Sequence, residues 1–310
     1  MASPFGRASL IVNMAAGKRS VTRTLDRVEL ELRARQLDYE VRVTEGPGDA
    51  TSIARRVLGE GGRFLVAVGG DGTVHEVVNG LMGDKTVGDE LPEPVLGVVA
   101  AGSGCDFVRT FGLPTDASAA ASRLDGSSLR RLDVARIGFV GLDGQPAGRW
   151  FANIAEAGLG AETARRASEV PAWLGPSRYF VAFWAVLPRY PVGAVCVDVD
   201  GSPAYQGRAV NVVAANCRYF GGGMHIAPRS DPADGCLELL VFNGPKTDSF
   251  TMLPRVYRGR HLPHPRVVEL QGQRFSLEGD GPMLIEADGE VLGTTPATIE
   301  VVAGALSLKV

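Results

Sequence analysis

The sequence predicts a two-domain protein, an N-terminal α/β domain with a parallel sheet and helices on both faces, followed by a β-sandwich domain. Three observations lead there. Through the first third of the chain, short apolar runs alternate with helix-length amphipathic stretches, the rhythm of strand–helix–strand units. After about Asp133 this gives way to strands joined by Gly, Pro, Asn and Asp turns, the pattern of an antiparallel sheet. The length of 310 residues suits two domains, each able to bury a core without metal or disulfide staples. The expected division is 1–133, with a returning strand at about 298–310, and 134–297.

The elements follow in order. Ala8 to Asn13 reads as a strand, Val21 to Gln36 as a helix with Leu25, Val28, Leu32 and, as a further candidate, Leu30 facing inward, and Tyr39 to Thr44 as a second strand. Asp49 to Gly59 reads as a helix, Phe64 to Val68 as a strand, Val74 to Met82 as a helix and Val95 to Ala100 as a strand. A short helix ends before Gly112-Leu113-Pro114. In the second domain, strands are expected at Arg131–Ile137, Trp150–Ala155, Ala194–Val199, Ala209–Ala215, Cys236–Phe242, Val267–Leu270 and Arg274–Leu277. Helices are expected near Pro176–Leu187 and Asp248–Arg258, and the last strand at Thr298–Val302 or Ala305–Val310. The stretch Tyr179 to Leu187 is apolar nearly all round, which reads first as buried core. A sharper reading lets one of its faces line an acyl-chain pocket.

Composition excludes several classes. Lys+Arg 32 against Asp+Glu 35 gives a net charge of −3, without the basic excess of a general nucleic-acid binder. Four scattered cysteines read as reduced, mostly buried thiols, and no apolar run reaches the ~18 residues of a membrane span. The opening residues read as too short and polar for a signal peptide, so a cytoplasmic location is expected. Glycine stands out: 40 residues, about 13 % against a usual ~7 %, ask where backbone turns tightly or approaches a ligand.

The strongest local signal is Gly69-Gly70-Asp71-Gly72-Thr73, where a buried strand ends and a helix begins. Strand ends of open α/β sheets bind ligands, and glycines and free helix-start amides favour phosphate. Asp71 breaks a simple anion site; an acid beside a phosphate cradle points to Mg²⁺ or to a proton to be removed. The plain alternative is a tight turn with Asp71 as a helix cap. Neither the P-loop nor the dinucleotide pattern is matched. A second turn, Gly102-Ser103-Gly104-Cys105-Asp106, repeats the combination of small residues and an acid.

Gly69 to Thr73 with Glu76 and Asn79-Gly80 resembles the signature of the diacylglycerol kinase and sphingosine kinase superfamily, particularly its bacterial soluble lipid kinases. Asn13 to Lys18 is similar to the family's nucleotide turn, Leu96 to Pro114 to its second glycine block, and Asp133-Val134 to the short strand after it. Tyr219 to Pro228 with Asp234-Gly235, and Asp288-Gly289-Glu290, match its later blocks, so the resemblance runs from about residue 8 to 310. Met14, Ala100, Ser103 and Cys105 depart from the family pattern. Ser103 keeps a hydroxyl, whereas Cys105 loses an amide.

The resemblance implies an NAD kinase/diacylglycerol kinase-like fold and an ATP- and Mg²⁺-dependent transfer of phosphate to a lipid hydroxyl. It implies that Asn13, Gly17, Lys18, Thr44, Gly69, Gly70, Gly72, Thr73, Gly102 and Ser103 border the nucleotide. Asp71, Asp288 and Glu290 would meet across an interdomain cleft to serve the transfer; the favoured division has Asp71 or Asp288 taking the hydroxyl proton and Glu290 helping to hold Mg²⁺, although any of the three carboxylates suits either role. In relatives, residues at Asp106, Asp133 and Asp234 form a charged cluster that can carry a structural Mg²⁺. The lipid partner implies peripheral membrane contact through a local basic face or an apolar rim, and a homodimer is left open. Two other readings stand beside this one. An NAD kinase shares Gly-Gly-Asp-Gly-Thr but expects an Asn-Glu-Asp/His triplet, which Asn211, Asn216 and Asn243 do not begin. A silent nucleotide-binding regulator is motivated by Met14, Ala100 and Cys105. His261 and His264 read as turn or packing residues, because Pro263 and Pro265 bar helical ligand geometry.

Overall fold

A computed structural model describes residues 3–16, 18–84, 94–102, 104–171, 174–175 and 177–310, apart from the side chains of 16, 18 and 19. The chain forms two compact units, 1–133 with 304–310 and 134–303.

The first unit alternates β1 (Ala8–Val12), α1 (Lys18–Ala34), β2 (Tyr39–Val43), α2 (Asp49–Gly59), β3 (Phe64–Gly69), α3 (Asp71–Met82) and β4 (Val95–Ala100). Two short helices follow, α4 (Asp106–Phe111) and α5 (Ala117–Ser122), the latter not anticipated from the sequence. All strand pairs are parallel, in the spatial order β2-β1-β3-β4, with residues 307–308 pairing outside β4. Successive strand residues point to opposite faces. Leu10, Val12, Val66 and Val68 pack with Val21, Val28 and Leu32 of α1 and with Ala120 and Ala121 of α5. The alternate residues Ile11, Leu65 and Ala67 are also buried, as are Ile53 and Val57 of α2 and Val74 and Val78 of α3. Burial on both faces is why these strands read as continuous apolar runs.

The second unit is antiparallel. It comprises β5 (Leu129–Gly141, entering from the first unit), β6 (Pro146–Phe151), β7 (Ile154–Gly158), β8 (Gly193–Val199), β9 (Ser202–Ala209), β10 (Asn211–Ala215), the small pair β11 (Tyr219–Phe220) and β12 (Met224–His225), β13 (Leu237–Phe242), β14 (Val267–Gly272), β15 (Arg274–Gly279), β16 (Leu284–Ala287) and β17 (Glu290–Lys309, which belongs to the first unit from Gly304 on). Its helices are α6 (Leu159–Glu169), α7 (Ser177–Val186) and α8 (Ser249–Val256). One arm of the sheet runs β14-β13-β10-β7-β16-β17; β17 also pairs with β15, which continues through β8 to β9, and with β5, which continues to β6. Phe139, Phe151, Val197, Val212, Leu239, Phe275, Ile285 and Ile299 from both arms share one core, as in a sandwich.

Five expectations change here. Leu30 of α1 is 71 % exposed and does not join Val28 and Leu32 in the core. Of the four cysteines Cys217 alone is buried, Cys105 and Cys236 being half-buried and Cys196 exposed. The run Trp150 to Ala155 is two strands, broken at Ala152-Asn153, for a reason that lies in the site. Helix α6 escaped the sequence reading because it buries only Leu159, Ala161, Thr163 and Ala167; its signal was the Glu162–Arg165–Glu169 spacing, which the structure turns into ion pairs. Helix α7 is not core: Ala182 is its only fully buried residue, while Phe180 and Val181 are 55 % and 46 % exposed. A cluster around Leu159, Leu187 and Val210 covers the inner face of α7 alone.

Candidate active site

In the first unit the chain runs from β1 to β2 on one side and then to β3 on the other, so the sheet reverses direction between β1 and β3. Loops at such a reversal diverge and leave a crevice at the carboxyl ends of the strands. The two flanking loops begin at Asn13 and at Gly70. The Asn13 side chain accepts from Ala15 N at 2.9 Å and its own N–H donates to Val68 O, pinning the β1 loop to β3. Thr44, just past β2, donates its N–H to Val12 O. Gly17 and Ser103 lie outside the described residues, and so does the side chain of Lys18.

The loops after β3 and β4 press against each other. A Cβ at Gly102 would come within 2.8 Å of Gly70 Cα, so backbone meets backbone and no side chain fits. At Gly69 a Cβ would fall 2.3 Å from Thr73 Oγ1. Thr73 is buried beneath that glycine, and its hydroxyl has no hydrogen-bond partner among the described residues. Gly72 is open around its Cα.

Asp71 joins the two turns. As the first residue of α3 it does not cap its own helix; its carboxylate accepts from Asp106 N at 3.1 Å and Phe107 N at 3.0 Å, the first amides of α4. The acid supplies what α4 lacks, because the residue before that helix is Cys105 in the left-handed conformation (φ 55°) with no cap of its own. Cys105 Sγ donates to Gly102 O at 3.2 Å. Burial pushes the Cys105 thiol up, and the charges of Asp71 and Asp106 add to it, so this is a filler thiol and no reactive thiolate.

The rest of the signature is architectural, which sequence reasoning missed. Glu76 accepts from Gly48 N and Ala50 N, each at 3.0 Å, and so caps α2. Asn79 Nδ2 donates to His75 O, and Gly80 lets α3 approach α2, since a Cβ there would lie 2.5 Å from Ala54 Cβ.

In the second unit Asp288 occupies the turn between β16 and β17 at φ 49°. Its Oδ2 accepts from Ala152 N at 3.1 Å and its Oδ1 from Asn153 N and Ile154 N at 3.1 and 2.9 Å, while Asp288 N donates to Ile154 O. These bonds satisfy the backbone freed where β6 breaks from β7, which explains the split strand. Glu290 pairs with Arg149 at 2.6 Å. Behind this turn lies a pair of buried acids that the sequence reading passed over. Glu156 of β7 and Glu286 of β16 sit directly opposite in register. Asn211 Nδ2 donates to Glu156 at 2.7 Å, and Gly289 N donates to Glu286 at 2.7 Å. Burial raises Glu156 to about 7, and burial with the neighbouring Glu156 charge raises Glu286 well above the ordinary range. Two adjacent buried carboxylates cannot both ionise cheaply, so the pair keeps a proton near neutrality. The available signal was an acid inside each of two apolar runs, Ile154-Ala155-Glu156-Ala157 and Leu284-Ile285-Glu286-Ala287.

Among the described residues, no three His, Cys, Asp or Glu side chains group as a metal site. The three acids expected to share Mg²⁺ have other partners. Buried Asp106 pairs with Arg109 at 2.9 Å, buried Asp133 accepts from Gly304 N at 2.6 Å, and exposed Asp234 accepts from Cys236 N at 2.9 Å. His261 is buried with Nε2 2.8 Å from Ile226 O, and burial lowers it to about 4, so it is neutral, as a packing residue requires.

The chain matches the diacylglycerol kinase catalytic domain over residues 7–137 and the YegS C-terminal NAD kinase beta sandwich-like domain over 153–310. It is 27 % identical over 292 residues to a diacylglycerol kinase of Staphylococcus saprophyticus, covering 94 % of this chain and 90 % of that one. A crystal structure of a diacylglycerol kinase from Bacillus anthracis superposes with a TM-score of 0.74 at 23 % identity, covering 99 % and 97 % of the two chains. An NAD kinase from Archaeoglobus fulgidus, solved with ATP, shares the fold at a TM-score of 0.53 and 15 % identity, over 98 % and 93 %.

Proposed function

Because this chain belongs to the superfamily of diacylglycerol kinases and YegS-like proteins, we propose that it transfers the γ-phosphate of ATP to the free hydroxyl of diacylglycerol or a related lipid. The observation that carries this reading is the pair of glycine turns after β3 and β4, backed against each other beside the sheet reversal and tied by Asp71. Bare backbone at a strand edge suits phosphate oxygens, which approach too closely for a Cβ. Asn13, Gly17, Lys18, Thr44, Gly70, Gly72, Gly102 and Ser103 are assigned to the nucleotide. Thr73 and Gly69 support the turn from beneath.

Phosphoryl transfer asks for position and charge neutralisation more than for covalent chemistry. The bracing of Asp71 and Asp288 by backbone N–H groups meets the first demand, since it fixes each carboxylate before substrate arrives. One of these two accepts the proton of the lipid hydroxyl. The described residues hold no all-protein cage for Mg²⁺, but that ion needs only one or two carboxylates besides nucleotide phosphates, a requirement the half-exposed Glu290 fits. When bound, Mg²⁺ neutralises phosphate charge.

The test is transfer of labelled phosphate from ATP into diacylglycerol and a panel of hydroxylated lipids by the purified protein, with products identified by mass. A labelled phosphomonoester lipid is expected. ATP binding without transfer to any lipid of the panel would overturn the assignment.

A further inference from the structure

Helix α7 presents an anomaly. A helix apolar on all sides is normally enclosed, yet Phe180 and Val181 face solvent. Their neighbours extend the patch. Trp184 stands 6.0 Å from the Phe180 ring and 4.6 Å from that of Phe250 on α8, which is 64 % exposed. Tyr257, just past α8, is 47 % exposed. Four of the eight strongly exposed large hydrophobic side chains among the described residues therefore lie on, or one residue beyond, two adjoining helices. The helices are fastened together: Lys246 Nζ, before α8, donates to Pro188 O and Tyr190 O, just beyond α7.

Charge identifies the occupant. Segments 177–190 and 245–266 contain seven Lys and Arg and one acid, Asp248, which Arg266 already pairs, whereas the whole chain carries −3. Arg189, Arg255, Arg258 and Arg260 are all exposed. An apolar aromatic ridge within a local basic field, on a protein of opposite overall sign, matches an anionic bilayer surface, where rings enter the headgroup boundary and cations meet lipid phosphates. A partner with no charge preference would need the ridge alone.

We propose that α7 and α8 form the surface by which this protein docks onto anionic membrane, an inference that rests on the lipid kinase reading for its purpose but not for its geometry. The test uses the full chain with vesicles of phosphatidylcholine, with and without phosphatidylglycerol, scored by co-sedimentation. Turnover is measured in parallel on vesicle-borne diacylglycerol and on a short-chain diacylglycerol dispersed in water. The double substitution Phe180→Ser/Phe250→Ser is expected to weaken vesicle binding by at least about tenfold, since each buried aromatic is worth more than a CH₂ or two. Arg255→Glu/Arg258→Glu should abolish the preference for phosphatidylglycerol. Both variants should lose vesicle turnover and keep short-chain turnover. Phe250→Ser alone replaces the double variant if that one misfolds. Variants that bind vesicles as the parent does overturn the proposal, as does a change of oligomeric mass with vesicle binding intact, which would make the patch a contact between copies. If the parent turns over neither lipid yet its vesicle binding falls in the variants, the kinase reading fails and the docking surface stands.

Discussion

Replacing Asp71 by asparagine separates the two jobs that this carboxylate performs. The side chain accepts N–H bonds from Asp106 and Phe107 at 3.1 and 3.0 Å, one to each oxygen. Asparagine keeps one acceptor and turns an NH₂ toward the other amide, so one charge-assisted bond is lost and a donor faces a donor. Such bonds are worth about 1.5–3 kcal/mol, and the half-buried position reduces the loss to about 1–2 kcal/mol. At roughly 2–4 °C per kcal/mol, the melting temperature should fall by roughly 2–8 °C. Amide exchange at Asp106 and Phe107 should accelerate, because half of the cap that Asp71 places on α4 is lost. At a temperature where the variant is folded, phosphate transfer should still fall more than about a hundredfold if Asp71 takes the proton, the scale of a general base. Unchanged melting and exchange would refute the cap. Full turnover by the folded variant would remove Asp71 from the chemistry and leave it a structural tie.

Two other perturbations test the scaffold. Glu76→Ala should cost about 1–2 kcal/mol by uncapping α2, read from urea midpoints, with turnover per folded molecule unchanged; a loss of turnover at full stability would place Glu76 in the site. The Glu156–Glu286 pair should make the second unit less stable as pH rises. Both carboxyls are raised above the ordinary 4.5, so the contribution is full below about 4.5; the share of Glu156 is lost as the pH climbs through about 7, and that of Glu286 is lost only well above the ordinary carboxylate range. Comparing parent and Glu156→Gln by urea denaturation across that range should show the parent falling more steeply with pH; parallel slopes would rule the pair out as the source.

The sequence by itself determined the layer class and pointed to the strand end at which the nucleotide is proposed to bind. Runs such as Phe64–Gly69 and Val95–Ala100 are apolar on both faces, and only a parallel sheet covered on both sides buries them so. Gly69 to Thr73 was legible because a glycine cluster at a strand end has few structural excuses, and the departures from family pattern at Met14 and Cys105 were equally plain. What tertiary structure decided were partners distant in the chain. That Asp71 caps a helix 35 residues on, that Glu76 caps the preceding one, and that Asp288 repairs a break 134–136 residues upstream are pairings no local spacing encodes. The same holds for two acids meeting across a strand pair and for α7, whose composition announces a buried helix. Hydrophobic periodicity reports what a segment would bury, whereas burial itself depends on which neighbours arrive, and among the described residues none covers Phe180 and Val181 on the outer face of α7.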